Sequence, residues 1–380
     1  MKTSSSPRRV AIVHEWFTSM RGGEKCVEAL CEVYPEATLF VLLHTRGTVS
    51  PIIERMPIRT SWIQKLPFAR ERYRHYLPLF PAAAQAHDLS GFDLVISSHH
   101  CVAKGVRVPA GALHICYCYT PMRYIWTQYE DYFDPERSGL LTRIGMRLFV
   151  NRLRAWDLAT AGNPHKYIAI SRNIRDRITT IYNRDSDVIY PPVETAVLPV
   201  SKQNDGFALV VSALVPYKRV DLAVEACTRL GRQLVVIGDG PDLGRLQRLG
   251  GPTVRFLGWQ NDDVVRDHFA RCSCVLFPGE EDFGIVPVEA MACGKPVVAY
   301  ARGGALETVL VGSDRRTGVL FEEQTSVALA AAIQECDGQR FDPDVLHAWA
   351  LEFDRELYKK RMAEYIQKAW VEFKGGSPQP

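Results

Sequence analysis

The sequence predicts an α/β protein made of two Rossmann-like doubly wound domains facing across a cleft. Three observations predict it. The 380 residues are too many for one ordinary core and suit two domains of roughly 150–200 residues each. Short β-branched runs alternate with helical patterns from end to end, and the runs are apolar on both faces, as parallel strands covered by helices on each side must be. A proline-containing break separates the runs into two sets.

In chain order, the first set is Val10–Val13, Thr38–Leu42, Phe92–Ser97, Leu113–Cys118 and Tyr167–Ile170. Val188–Tyr190 then runs into Pro191-Pro192, and two prolines end a strand and stiffen the connector after it. This predicts a first domain over residues 1–190 and a linker over 191–206. The second set is Ala208–Ser212, Leu234–Ile237, Val254–Leu257, Cys274–Phe277 and Val297–Ala299, spaced as β-α-β crossovers are. It predicts a second domain over 207–353. Residues 354–373 read as one helix that crosses back to the first domain, and 375–380 as a tail.

Composition narrows the class. Apolar residues make up 47% and charged residues 23%, an ordinary globular balance. The formal charge of +3 is too small to draw the whole protein to nucleic acid, so nucleic acid is not expected as a partner. Only Val10–Val13 follow the polar start, too short for the h-region of a signal peptide or for a span, so the chain reads as cytoplasmic. The ten cysteines fit a reducing compartment, most of them inside apolar runs. His114, Cys116 and Cys118 alternate along a strand, which sets same-face neighbours about 6.6 Å apart, too far for several to meet one zinc ion. No metal site is expected.

Ligands of doubly wound sheets sit beyond the carboxyl ends of the strands, so the loops there hold the candidate chemistry. The first, His14 to Lys25, ends in Gly22-Gly23 before a helix, where backbone N–H groups could approach an anion. The plain alternative is a flexible turn. It is neither G-x-G-x-x-G nor a P-loop. The second carries Lys218 and Arg219 after Ala208–Ser212. A point charge beside a planar fork suits a diphosphate, and a solvated charge pair is the alternative. The third runs from Phe277 to Met291. Glu281 lies in a loop, Pro287 stands near the start of a helix, and Glu289 lies within it. The amides of Phe283, Gly284, Ile285 and Val286 could face an anion, and Glu289 could take ribose or sugar hydroxyls.

With their surroundings, Glu281 and Glu289 resemble the E-x7-E signature of the retaining GT-B glycosyltransferases of family 4. Gly22-Gly23-Glu24, Tyr190-Pro191-Pro192-Val193-Glu194, Gly238-Asp239-Gly240-Pro241, Phe256-Leu257-Gly258 and Gly303-Gly304 with Glu307 fall in that family's order. The resemblance covers nearly the whole chain. Thr120-Pro121-Met122-Arg123-Tyr124 and Pro216-Tyr217-Lys218-Arg219 resemble a subgroup of mannosyltransferases of surface-polysaccharide assembly.

The resemblance implies roles. Glu289 would hold the donor's ribose and Glu281 the transferred sugar. Lys218 and Arg219 would hold the diphosphate, with Gly22 and Gly23 opposite it and Gly240 in the donor site. The family often carries Arg where Ala213 stands, so Arg219 would supply that charge. It often carries His where Tyr119 stands, so Tyr119, His99, His100 and Arg123 are the candidates on the acceptor or sugar side. The first domain would bind the acceptor, a glycan or polyprenyl-linked sugar, and the second the nucleotide diphosphate sugar. GDP-mannose is the leading donor.

Cations and helix-end amides would stabilise the charge gathered by the leaving diphosphate. No D-x-D tripeptide is placed to bridge Mg²⁺, so the expected reaction is metal-free and needs no cofactor. A nucleotide-sugar epimerase of the same architecture, or a non-catalytic nucleotide-sugar binding protein, is the alternative.

Two segments predict docking on an anionic membrane surface at the inner face of the cell membrane. Residues 51–81 carry Arg55, Arg59, Lys65, Arg70, Arg72 and Arg74 among Trp62, Phe68, Tyr73 and Tyr76. Residues 140–156 carry Arg143, Arg147, Arg152 and Arg154, with Leu141, Ile144 and Leu148 on one helical stripe. A solvated helix face packed on its own core is the alternative.

Overall fold

The apolar runs become two all-parallel sheets in a computed structural model that describes residues 6, 7, 9–126, 140–312 and 315–376, the side chains of 140–148 and 376 excepted. The first sheet takes β1 (Val10–Val13), β3 (Thr38–Val41), β5 (Ile58–Thr60), β6 (Leu94–His99), β7 (Leu113–Cys118), β8 (Lys166–Ala169) and β9 (Asp187–Val188), in the order β5-β3-β1-β6-β7-β8-β9. A small parallel pair, β2 (Trp16–Phe17) and β4 (Leu43–His44), extends from its end. The second sheet takes β10 (Ala208–Val211), β11 (Leu234–Ile237), β12 (Val254–Gly258), β13 (Cys274–Phe277), β14 (Val297–Tyr300) and β15 (Gly318–Phe321), in the order β12-β11-β10-β13-β14-β15.

Register follows from burial. Ile12 lies beside Leu39 and Ile96, and Ile96 beside Ile115, so β-branched side chains stack across the sheet. Every residue of β1, β6 and β7 is buried, which is why these strands read as unbroken apolar runs rather than alternating ones. The core on one face of the first sheet gathers Phe40, Tyr73, Leu77, Phe80 and Val95. In the second, Val210, Val224, Leu234, Leu329 and Ile333 pack together.

The chain divides into two units, one up to Pro192 with the residues from Tyr358 onward, the other Val193–Leu357. From Val193 on, the stretch expected as a linker is tied into the second unit: Val193 N–H donates to Phe353 (3.0 Å), Ser201 N–H to Cys293 (3.1 Å) and Asp205 N–H to Arg271 (2.8 Å). The last helix, Arg355–Gly376, joins the first unit from Tyr358, where Tyr358 packs on Tyr117 and Lys359 pairs with Glu32.

Three local readings change. Strand β6 runs to His99, two residues beyond the expected end, because its polar residues find partners without leaving the sheet: Ser97 with His114 (2.9 Å) and Ser98 with Tyr119 (2.8 Å). Gly22 and Gly23 are the first two residues of the helix Gly22–Val33, not a loop before it. Arg21, in extended conformation, is its cap, and the Glu24 carboxylate accepts the Arg21 N–H. Strands β5, whose one apolar residue is Ile58, and β15, a short Val-Leu-Phe run behind Gly318, are not among the expected runs. All ten cysteines are buried free thiols.

Candidate functional site

At the ends of β10, β13, β14 and β15 the loops interlock by close backbone approach. A Cβ on Gly279 would lie 2.9 Å from the Lys218 Cα, and one on Gly303, at φ +62°, would lie 2.2 Å from the Glu281 carbonyl oxygen. Only glycine lets the Lys218 loop, the Glu281 loop and the Gly303-Gly304 turn share this space. On the neighbouring loop a Cβ on Gly240 would lie 2.3 Å from the Leu214 carbonyl oxygen.

These contacts bring the predicted cations and acids together. Lys218 Nζ forms an ion pair with Glu281 Oε1 and lies over the Tyr217 ring. Arg219 adopts a left-handed backbone, φ +51°, as the cap of the helix Val220–Leu230. Its guanidinium forks onto Asp221 (3.2 and 3.3 Å) and donates to Gln324 (3.3 Å), whose amide donates in turn to the Pro278 carbonyl (3.0 Å). A bulky residue held left-handed costs strain, so the local structure over-determines the place of this guanidinium. Glu289 lies half-buried on the helix Ile285–Ala292, which Gly284 caps at φ +85°. Phe283 is buried and Ile285 and Val286 are half-buried at that helix start. Ala213 is exposed on the Lys218 loop. Asp221 and Gln324 were not legible as site residues; the i, i+2 spacing of Asp221 from Arg219 was the available signal.

At the ends of β1, β6 and β7 the first unit carries a different polar constellation. Glu15 is fully buried, and its carboxylate accepts the N–H groups of His100, Cys101, Val102 and Ala103 at 2.8–3.1 Å. Burial opposes its charge, but the His99 and His100 rings and the Val102 amide outweigh burial and hold the carboxyl well below its usual range. His99 is buried against Glu15, at 3.5 Å, rather than standing in a loop. Next to it runs a chain of hydrogen bonds: His14 Nδ1 with Ser98 Oγ (2.9 Å), Ser98 Oγ with the Tyr119 hydroxyl (2.8 Å), and that hydroxyl donating to the Gly23 carbonyl (3.0 Å). Glu24 Oε1 lies 3.6 Å from His14 Nε2. Burial drives the Tyr119 phenol well up, so it stays protonated and can donate.

His100 and Tyr119 are half-buried neighbours, ring centroids 6.3 Å apart, and His100 meets Trp16 edge-on at 5.0 Å. Burial pushes His100 down to about 4, so it is neutral at pH 7. Arg123, half-buried, opens the short helix Arg123–Trp126. Sequence reasoning passed over Glu15, although a carboxylate bracketed by two apolar strands was a usable signal.

Two all-parallel sheets with chemistry on the strand-end loops define the GT-B class. The chain superposes on Anabaena HepE in complex with UDP with a TM-score of 0.68 at 20% identity, covering 95% of this chain and 100% of that one. Residues 199–336 match the family described as glycosyl transferases group 1. The chain is 34% identical over 265 residues to a GDP-mannose-dependent alpha-mannosyltransferase of Mycolicibacterium smegmatis, covering 66% of this chain and 67% of that protein. It is 28% identical over 215 residues to an uncharacterized glycosyltransferase of Methanocaldococcus jannaschii, covering 55% of this chain and spanning 60% of that relative's length. The chain therefore belongs to the group 1 glycosyltransferases, the family 4 type.

Proposed function

We propose that the protein is a retaining glycosyltransferase that moves a hexose, with mannose from GDP-mannose as the leading case, onto a glycan or polyprenyl-linked acceptor in surface-polysaccharide assembly. The observation that carries this reading is the Lys218–Glu281 ion pair on two half-exposed loops, inside the region matched to the family. A diphosphate offers Lys218 Nζ a second, more highly charged partner. As Lys218 turns to it, the Glu281 carboxylate is released to accept hydroxyls of the transferred sugar. Arg219, pre-oriented by Asp221 and Gln324, supplies a second cation to the leaving group. Glu289 takes the ribose hydroxyls, and the first amides of the helix Ile285–Ala292 face the phosphates. Gly22 and Gly23 offer theirs from the first turn of their own helix. On the first unit, His100, Tyr119 and Arg123 face the acceptor or the sugar.

Exposed Lys65, Arg70, Arg72 and Arg74, with Phe68 at 70% exposure among them, support docking on an anionic membrane surface. In the second basic segment Arg154 is engaged internally, donating to the Ile125 carbonyl (2.8 Å) over the Trp126 ring. Arg152 is exposed there, while the side chains of Arg143, Arg147, Leu141, Ile144 and Leu148 lie outside the described residues. No described helix is long and apolar enough to cross a membrane.

The test is a panel of nucleotide sugars with and without a membrane extract, in EDTA. Acceptor-dependent release of nucleoside diphosphate, with anomeric configuration retained in the product, is the expected result. Donor consumption without an acceptor would point to an epimerase, binding without turnover to a non-catalytic protein, and activity lost in EDTA but restored by Mg²⁺ would end the metal-free mechanism.

A further inference from the structure

The edge of the first sheet carries a pocket of about 290 Å³, at the small end of what ligand sites occupy. Phe40 of β3 and Ala83 of the helix Phe80–Gln85 give it an apolar floor. Arg59 of β5, Trp62 just past that strand, and His87 and Asp88 just past the helix also line it. Arg59 and Trp62 also belong to the basic, aromatic surface of residues 51–81, whereas His87 and Asp88 lie outside it.

Three observations specify the ligand. Trp62 is 39% exposed while lining the pocket, so part of its indole is open to an incoming flat face. His87 is 91% buried by its 9% exposure, and its Nε2 has no hydrogen-bond partner. Burial pushes this imidazole down to about 4, so it is neutral at pH 7 and offers an anion no charge. Arg59 and Asp88 then bring opposite charges to one lining. The Ser90 hydroxyl and amide, with Arg59 nearby, hold Asp88 below its usual range, so it is ionised.

This charge pattern discriminates between ligands. A phosphate would meet Arg59 but be repelled by Asp88, and an ammonium group the reverse. A neutral polyol satisfies both, because its hydroxyls accept from the guanidinium and donate to the carboxylate. A pyranose ring adds an apolar C–H face for the indole. We infer that this pocket binds one neutral hexopyranosyl unit of a glycan, a carbohydrate site that uses none of the residues assigned above to the donor or the acceptor. The inference rests on the glycosyl-transfer reading for the source of the sugar, the growing chain, and on pocket chemistry for the binding.

The test is ¹⁹F NMR of the full chain labelled with 5-fluorotryptophan, the Trp62 resonance being the one missing from Trp62→Phe. The probes are neutral methyl pyranosides and disaccharides of glucose, galactose and mannose at millimolar concentration, and inorganic phosphate. The Trp62 resonance is expected to shift and saturate with at least one sugar. It should stay in place with phosphate, and Asp88→Asn should weaken the midpoint at least fivefold. A resonance unmoved by every sugar, one that moves with phosphate instead, or sugar binding untouched by Asp88→Asn would overturn the site. GDP and UDP titrations of the same sample are read on the other tryptophans. Nucleotide binding with no sugar response removes the pocket and leaves the transfer reading. Sugar response without nucleotide binding or donor turnover does the reverse.

Discussion

At the ends of β1, β6 and β7, the side chains of His14, Glu15, Ser98 and His99 are at most 2% exposed. Each has partners inside the same unit. At the ends of β10 and β13, the Lys218 and Glu281 side chains keep 15% and 25% of their exposure, and each has the other. The two strand-end constellations look alike in sequence, as polar residues after an apolar run, but desolvation separates them. A polar group taken fully out of water must be satisfied by the protein at all times, so it becomes structure. An ion pair that keeps part of its exposure exchanges one partner for a ligand at smaller cost than a fully buried group does. Substitutions in the first set should therefore register in stability, and those in the second in activity.

The largest expected effect is Glu15→Ala. It strips the partner from four buried N–H groups, those of His100, Cys101, Val102 and Ala103. Losing the charged member of such a set costs on the order of 3–5 kcal/mol. Denaturant unfolding should show the first unit's transition moving well ahead of an unmoved second one. Equal midpoints in variant and parent would mean that the nest adds nothing to stability.

Lys218→Ala should do the opposite. Transition-state stabilisation should fall by about 2–4 kcal/mol, roughly thirty- to a thousandfold in kcat/KM, by analogy with a lost oxyanion donor. Thermal unfolding should barely move. Glu281→Gln should depress kcat, and Glu289→Gln should raise the donor KM, if one touches the sugar and the other the ribose. Steady-state kinetics on the three variants decide it, and parent-like values in all three would remove the assignment.

Legibility in sequence differs between the two ends in the same way. The strand-end loops could be placed because parallel strands are apolar on both faces, and the half-buried Lys218, Glu281 and Glu289 stood out as charges in or just after those loops. Glu15 did not, because what makes it special is four amides from residues 100–103, some 85–88 positions downstream. Gln324 escaped for the same reason, since it meets Arg219 only through the fold, 105 residues away, whereas Asp221 lies two residues from Arg219 and its spacing could have been read. His99 was misplaced because polar Ser98 and His99 read as a loop after a strand ending at Ser97 until their buried partners are known.

Acidification should sharpen the contrast with a smaller effect. His114 is fully buried and its pKa is pushed down to about 3 from the usual 6.5 by burial. Between those values the unfolded chain binds the proton and the folded one does not. Stability is therefore full above pH 6.5 and falls as pH drops, by about 2 kcal/mol at pH 5 for this residue. His87, held down to about 4, adds to the same slope in the same unit. Unfolding of the first unit measured from pH 7 to 5 should show it, and His114→Asn should flatten it. A slope unchanged in that variant would assign the loss to other groups.

The smallest effect tests the residue that bridges the two behaviours. Tyr119 shares the hydrogen-bonded chain of His14 and Ser98 but is only half-buried. Its hydroxyl is bonded inward, to Ser98 Oγ and the Gly23 carbonyl, while part of its ring faces solvent. Tyr119→Phe removes both bonds but leaves Ser98 its His14 partner, so the stability loss should be about 1 kcal/mol. A purely structural tyrosine would stop there, with kcat and KM at 25 °C unchanged. If the ring borders the sugar, the released Gly23 carbonyl and the freed phenylalanine alter the helix start at Gly22 and Gly23 as well, and kcat should drop several-fold beyond anything stability explains. Tyr119→His, which restores a polar atom at the position where the resembled family often carries histidine, should then recover part of that loss. Phenylalanine and histidine variants with identical kinetics would place Tyr119 wholly with the buried framework.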